Sequence, residues 1–254
     1  MPLFWGAAAL AAALNLSPAH QVPTSPTPPL TSAPAASAPA NPFRQLLPNL
    51  GHDIQSLASV NSVIVMSVGG GAAIASHNSD TRVRTWALLQ PKDPGLARFG
   101  NVAGDALVQA GLAIGAWATG RHQQNVRLET TGSDLIRAQI LNGVLTQSLK
   151  IAVNRARPDG GGHAFPSGHA SATFATAAII QRDYGVAASV PFYALGGLVS
   201  WSRVRTGHHW LSDVVFGGAI GITSGLAVTK GRLSKWSIVP VKTSGGAALY
   251  VIRR

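Results

Sequence analysis

HAFPSGHASATFATAAII, residues 163–180, reads as a turn followed by a helix buried on nearly every side. Pro166, Ser167 and Gly168 supply the turn, and from His169 onward small and apolar residues dominate, from Ala170 through Phe174 to Ile180. The turn delivers a hydroxyl, a glycine amide and an imidazole to the start of a helix. Helix N-termini carry unpaired N–H groups and a partial positive charge, so such an end suits an anion such as phosphate. An equally ordinary reading makes Ser167 a plain N-cap and His169 a first-turn polar residue.

Composition narrows the partners. The 254-residue chain has a formal net charge of +11, nine acidic residues and no cysteine, which removes disulfides, thiolate metal sites and cysteine nucleophiles. The charge favours phosphate esters or anionic lipid headgroups. Nucleic acid is not expected, because only 11% of residues are charged and the basic ones are scattered singly. Hydrophobic content of 46% and a mean hydropathy of +0.21 lie between a soluble domain and a multi-span membrane protein.

Residues 1–19 read as a secretory signal, with a short apolar run and small residues at Ser17-Pro18-Ala19, although no Lys or Arg precedes the run. Residues 20–42 are rich in Pro, Ala and Ser and carry no charge, which predicts an extended, disordered tether. A helical domain is expected over 43–236, with six helices at about 53–76, 101–118, 133–153, after the Pro166-Ser167-Gly168 turn, 186–201 and 211–230. Two short apolar runs flanking Thr243-Ser244-Gly245-Gly246 predict a β-hairpin within 237–254.

Reactive residues gather in three clusters at helix ends. Lys150 sits near the end of the third helix, and Arg157-Pro158 opens the loop after it. The second cluster is Pro166-Ser167-Gly168-His169. The third runs from Ser202-Arg203 to His209 and Asp213, whose spacing of four lets the carboxylate hold an imidazole nitrogen if a helix starts near His209. Each has a structural alternative when taken alone, such as cations placed favourably at a helix C-terminus. Together they offer three cations, a hydroxyl, helix-end amides and two imidazoles, one to attack phosphorus and one to protonate a leaving group. No glycine-rich phosphate loop and no acidic cluster for Mg²⁺ is present, so no metal or other cofactor is expected.

These clusters resemble the signature of the phosphatidic acid phosphatase type 2 superfamily: Lys150, six residues, Arg157-Pro158; Pro166-Ser167-Gly168-His169; Ser202-Arg203, five residues, His209, three residues, Asp213. The resemblance implies an all-α, six-helix bundle of the phosphatase and haloperoxidase type, to which the short C-terminal β-hairpin is added. It implies His209 as the nucleophile of a phosphohistidine intermediate, Asp213 as its orienting partner and His169 as general acid and then base. Lys150, Arg157 and Arg203, with the Ser167 hydroxyl and Gly168 amide, would bind phosphoryl oxygens. His209 is chosen over His208 because it alone has Asp213 four residues on. Arg155 and Arg205 are expected to face solvent in preference to a headgroup. Only seven residues separate Pro158 from Pro166, so any lid there is small.

The expected activity is metal-independent hydrolysis of phosphate monoesters, lipid phosphates or small phosphate esters, with vanadate as inhibitor. Two alternatives stand beside it: a vanadium-dependent haloperoxidase, and a non-catalytic envelope protein that binds anionic lipid. If all six helices span a membrane after a cleaved signal, the reactive loops fall on the cytoplasmic side. An exported protein avoids that conflict as a soluble or peripheral periplasmic bundle, which the polar residues Asp105, Gln109, Gln139, Asn142 and Gln147 also favour; an integral membrane protein is the alternative.

Overall fold

The computed structural model describes residues 46–91, 93–230, 236–243 and 246–253. The signal expected at 1–19, the tether expected at 20–42 and the first residues of the domain lie outside these. Among the described residues the class is all-helical up to a terminal hairpin, but the helices number nine, not six. They are α1 (Leu46–Ser56), α2 (Val60–His77), α3 (Asp80–Leu89), α4 (Pro94–Ala103), α5 (Ala106–His122), α6 (Val126–Val153), α7 (Gly168–Tyr184), α8 (Val186–Arg205) and α9 (Leu211–Val228). Strands β1 (Trp236–Thr243) and β2 (Gly246–Arg253) pair antiparallel, with Thr243 opposite Gly246.

Local capping explains the larger count. The helix expected at 53–76 is broken before Ser59, whose side chain accepts the Ser62 N–H and so starts α2 afresh. The ten-residue α3 carries Arg82 and Arg84 and lacks a clean apolar period. For α4 the signal was local: Asp93 Oδ1 accepts the Leu96 N–H at 2.9 Å, and Pro94 stands at the first helical position.

Helix α9 packs against α7, α2 and α6, and its glycines let it approach closely. A Cβ on Gly221 would lie 2.1 Å from the Ser171 carbonyl oxygen and 2.8 Å from the Ala175 nitrogen, both backbone atoms of α7. Gly221→Leu is therefore expected to cost about 3 kcal/mol or more, because the two helices must separate. Gly111→Ala, which meets nothing within 4 Å on α5, should be neutral or gain about 0.5 kcal/mol. Thermal unfolding of both variants checks this; equal midpoints would refute the close-packing account.

Gln109, Gln139 and Asn142 of α5 and α6 turn inward, whereas Gln147 is exposed. Gln109 is 3% exposed and its Oε1 accepts the Thr176 hydroxyl at 2.6 Å, while Gln139 Nε2 donates to the Ala172 carbonyl at 3.0 Å. A buried Arg137 donates to Asp53 at 2.7 and 2.8 Å and to Asp134 at 2.7 Å, tying α6 to α1. The Gln109 and Gln139 bonds are made within the protein and so carry no preference for a watery exterior. The outer face of α2 is apolar instead, with Val60, Val68 and Ile74 exposed by 64, 67 and 76%. Among the described residues two helices are long and apolar enough to cross a membrane: α9, with 72% of its residues buried within the protein, and α2, with only 11%.

Candidate active site

The three sequence clusters converge because a small core ties the ends of their helices together. Ala170 of α7, Val204 of α8 and Val214 of α9 are buried against one another, with Phe174, Trp201 and Leu211 packed around them. Backbone hydrogen bonds then lace the loops. The Ser167 N–H donates to the Asp213 carbonyl at 3.0 Å, the Asp159 N–H to Gly207 at 3.0 Å and the Ala164 N–H to Arg155 at 2.8 Å. Helix α3 adds a brace, since Arg84 Nη1 donates to the carbonyls of Val204 and Arg205 at 3.3 and 2.8 Å.

Six expected residues, Lys150, Arg157, Gly168, His169, Arg203 and His209, line one cavity of about 560 Å³. Two others lie behind its wall. Ser167 is fully buried and caps α7, its Oγ accepting the Ala170 N–H at a long 3.5 Å, so its hydroxyl is placed for capping. Asp213 is also fully buried, and its Oδ2 lies 3.7 Å from His209 Nδ1. That separation is beyond a good hydrogen bond. The closer partner of Nδ1 is the Ala164 carbonyl oxygen at 2.6 Å. A carbonyl only accepts, so the proton sits on Nδ1 and Nε2 keeps its lone pair. His208, by contrast, bonds the Thr206 hydroxyl through Nδ1 at 2.7 Å.

Burial and crowded positive charge set the electrostatics. Burial, with Arg157 beside it, pulls Lys150 down to about 8; the same two causes pull Arg203 down to about 10. Burial pushes His169 down to about 4, with Arg203 and His209 adding to the effect and the Asn101 backbone carbonyl opposing it. Burial also lowers His209, against the pull of Asp213. An entering anion opposes all of these shifts, because an opposite charge stabilises the cationic forms together. Arg157 Nε, His169 Nε2 and Arg203 Nε are buried and find no hydrogen-bond partner among the described residues. Such groups are costly to leave unmatched, by about 1–3 kcal/mol each, and a tetrahedral oxyanion would engage them. No group of three His, Cys, Asp or Glu side chains able to hold a metal occurs among the described residues.

Several contributors were not visible in sequence. Asn101 of α4 accepts from Arg203 Nη1 at 2.7 Å and so fixes that guanidinium. The Ala164 carbonyl sets the His209 tautomer. Arg155, expected to face solvent, instead donates to Asp213 Oδ1 and to Asp80 Oδ2, each at 2.7 Å. Arg205 is partly buried at the end of α8 and offers its carbonyl to Arg84. None of these has a local sequence signal; the partners are brought together only by packing.

Residues 132–236, which contain all three clusters, match the family model described as the PAP2 superfamily. The lipid A 1-phosphatase of Porphyromonas gingivalis is 34% identical over 97 residues, 37% of this chain and 22% of that protein. The lipid A 1-phosphatase of Rhizobium etli is 36% identical over 109 residues, 35% of this chain and 45% of that protein. The chain thus spans less than half the length of these curated relatives. Among solved structures, Aquifex aeolicus LpxE superposes with a TM-score of 0.51 at 22% identity, covering 59% of this chain and 94% of that one. A transmembrane PAP2-type phosphatidylglycerolphosphate phosphatase from Bacillus subtilis gives 0.50 at 18% identity, covering 74% and 94%. Both likenesses show the shared helical fold.

Proposed function

We propose that the PAP2-type segment, residues 132–236, is the working core of a metal-independent phosphatase that acts on lipid phosphates through a phosphohistidine. The observation that carries the reading is the His209 ring: its Nδ1–H is committed to Ala164, and the ring lines a cavity shared with Lys150, Arg157 and Arg203. His209 Nε2 attacks phosphorus; the N–P bond forms as the bond to the leaving oxygen breaks, and His169 gives that oxygen its proton. Water then attacks phosphorus, the N–P bond breaks and His169 takes the water's proton. The three cations and the Gly168 amide stabilise charge on the phosphoryl oxygens, while Asp213 supports the cationic ring.

A lipid substrate is favoured by the apolar part of the same cavity's lining, which includes Ile114, Ile136 and Ile140. The names of the curated relatives agree with a phosphorylated lipid. The exposed apolar face of α2 supports membrane association, in which lipid covers Val60, Val68 and Ile74. Membrane fractions of cells making the full chain are expected to keep the protein through a high-salt wash; its release by salt would assign the attachment to the basic residues alone.

The direct test is phosphate release by the full chain from short-chain phosphatidic acid in EDTA, followed by titration with vanadate. Release that vanadate suppresses is the expected result. Activity that requires added vanadate or a divalent metal would overturn the proposal.

The pH dependence of kcat/KM follows from the same groups. His209 is lowered from its ordinary 6.5, so the neutral nucleophile persists below that pH. Lys150 loses its proton as pH rises through about 8, and phosphoryl binding weakens above it. A fall beginning near pH 8 is expected, and Lys150→Arg should move that limb upward because guanidinium stays charged. An alkaline limb unchanged by Lys150→Arg would detach it from Lys150.

A further inference from the structure

We propose that Arg155, clamped by Asp80, is a positioning residue for His209 that acts through both acceptors beside Nδ1, Asp213 and the Ala164 carbonyl. This rests on His209 being the nucleophile. The side chain of Arg155 reaches one acceptor: Nη1 donates to Asp213 Oδ1 at 2.7 Å. Its backbone reaches the other, since the Arg155 carbonyl accepts the Ala164 N–H at 2.8 Å, and the Ala164 carbonyl accepts His209 Nδ1–H at 2.6 Å.

Asp80, at the start of α3, closes the arrangement into a ring. Its Oδ2 accepts Arg155 Nη2 at 2.7 Å and the Ser212 hydroxyl at 2.6 Å, while its Oδ1 accepts the Ser212 N–H at 2.9 Å. Ser212 Oγ in turn accepts Arg155 Nη1 at 2.7 Å. The second oxygen of Asp213 accepts the Trp210 N–H at 2.8 Å. Both oxygens of that carboxylate are thereby held by donors other than His209, which fixes its position beside the ring. Asp80, Ser212 and Asp213 are 4, 3 and 0% exposed, and the Arg155 guanidinium also stands 5.4 Å over the Trp210 ring. At the outer edge His77 Nδ1 lies 3.2 Å from both Arg155 Nη2 and Asp80 Oδ2, and on the cavity side the Lys150 charge faces Asp213 and His209.

The consequence is a fixed negative charge close to the ring but not bonded to it. The neutral imidazole donates its Nδ1–H to the Ala164 carbonyl, which keeps the reactive nitrogen's lone pair in the cavity. When the ring gains positive charge, the carboxylate is already in place and need not reorganise. Arg155 is absent from the cavity lining, so its influence passes through the two acceptors.

A double-mutant cycle tests this. Arg155→Met is expected to lower kcat ~10–100-fold with KM changed less than about threefold, the range of supporting residues around a reactive group. In an Asp213→Asn background the same substitution should cost less than about threefold, because the partner it acts through has lost its charge. Arg155→Lys should restore kcat only in part, since one ammonium cannot serve Asp80 and Asp213 as the guanidinium fork does. An undiminished effect of Arg155→Met in the Asp213→Asn background, or an effect mainly on KM, would overturn the proposal.

A second readout does not depend on activity. In ¹⁵N-histidine-labelled full chain, the His209 ring should show protonated Nδ1 and unprotonated Nε2, and Asp80→Asn or Arg155→Met should mix in the other tautomer. Unchanged ring shifts in folded Asp80→Asn protein refute the positioning role, also where Arg155→Met fails to fold. If the wild-type chain releases no phosphate from any substrate, the phosphatase reading fails while these shifts still decide the positioning role.

Discussion

His209→Ala is expected to lower kcat/KM by about 10⁴-fold, the scale on which losing a covalent nucleophile acts. Its ring is 3% exposed and makes one close hydrogen bond, to the Ala164 carbonyl, so alanine removes the reactive nitrogen while leaving the surrounding backbone bonds in place. Stability should fall far less than activity: one buried hydrogen bond is worth about 1 kcal/mol. Radiolabelled substrate quenched early in turnover should leave an acid-labile phosphoryl group on the wild-type chain and none on His209→Ala. His208→Ala supplies the contrast, because that ring bonds Thr206, and its loss should stay within about tenfold. An adduct that survives in His209→Ala, or that vanishes in His208→Ala, would reassign the nucleophile.

His169→Gln should produce the second largest loss, about 10³-fold on alkyl or lipid phosphates, as expected for removing a general acid. Its diagnostic feature is dependence on the leaving group. An alkoxide needs a proton as the P–O bond breaks, whereas a nitrophenolate does not, so the loss on an aryl phosphate should shrink to about tenfold. Burial holds His169 down to about 4, and its Nε2 has no hydrogen-bond partner among the described residues. The substrate's negative charge works against that depression and favours the protonated ring. Equal losses on both substrate types would leave His169 a binding residue and remove it from proton transfer.

The parts of the site that sequence exposed share one property, short-range order. Lys150 and Arg157 bracket one helix end, Ser167, Gly168 and His169 open one helix, and His209 stands four residues before Asp213, just ahead of the Trp210 cap of α9. Spacing alone puts such residues at a common end of a bundle. The roles assigned within those clusters needed more. Asp213 is four residues from His209, which suggests direct bonding; in the fold its oxygens accept from Arg155 and the Trp210 N–H and stay 3.7 Å from the ring, and a carbonyl 45 residues before His209 accepts the Nδ1–H. Ser167 offers both a capping and a phosphate-binding reading; in the fold its Oγ accepts the Ala170 N–H, and its backbone carbonyl lies close against Gly217 of α9.

Helix number and surface character followed the same division. Apolar runs marked the long helices, whereas α3 and α4 are set by capping at Asp93 and by anchoring of Arg84 on α8. Gln109 and Gln139 looked like a polar surface in sequence, and in the fold they bond Thr176 and Ala172 from the inside. The sequence by itself determined that this chain builds a helical bundle with two histidines and three cations at helix ends, because those facts are written in periodicity and local spacing. Tertiary structure alone decided which nitrogen of His209 is free, that Arg155 and Asp80 stand behind it, and that the apolar face of α2 lies outward. Each of these depends on partners far apart in the chain, whose meeting is set by packing and by the need to satisfy every buried charge and hydrogen bond.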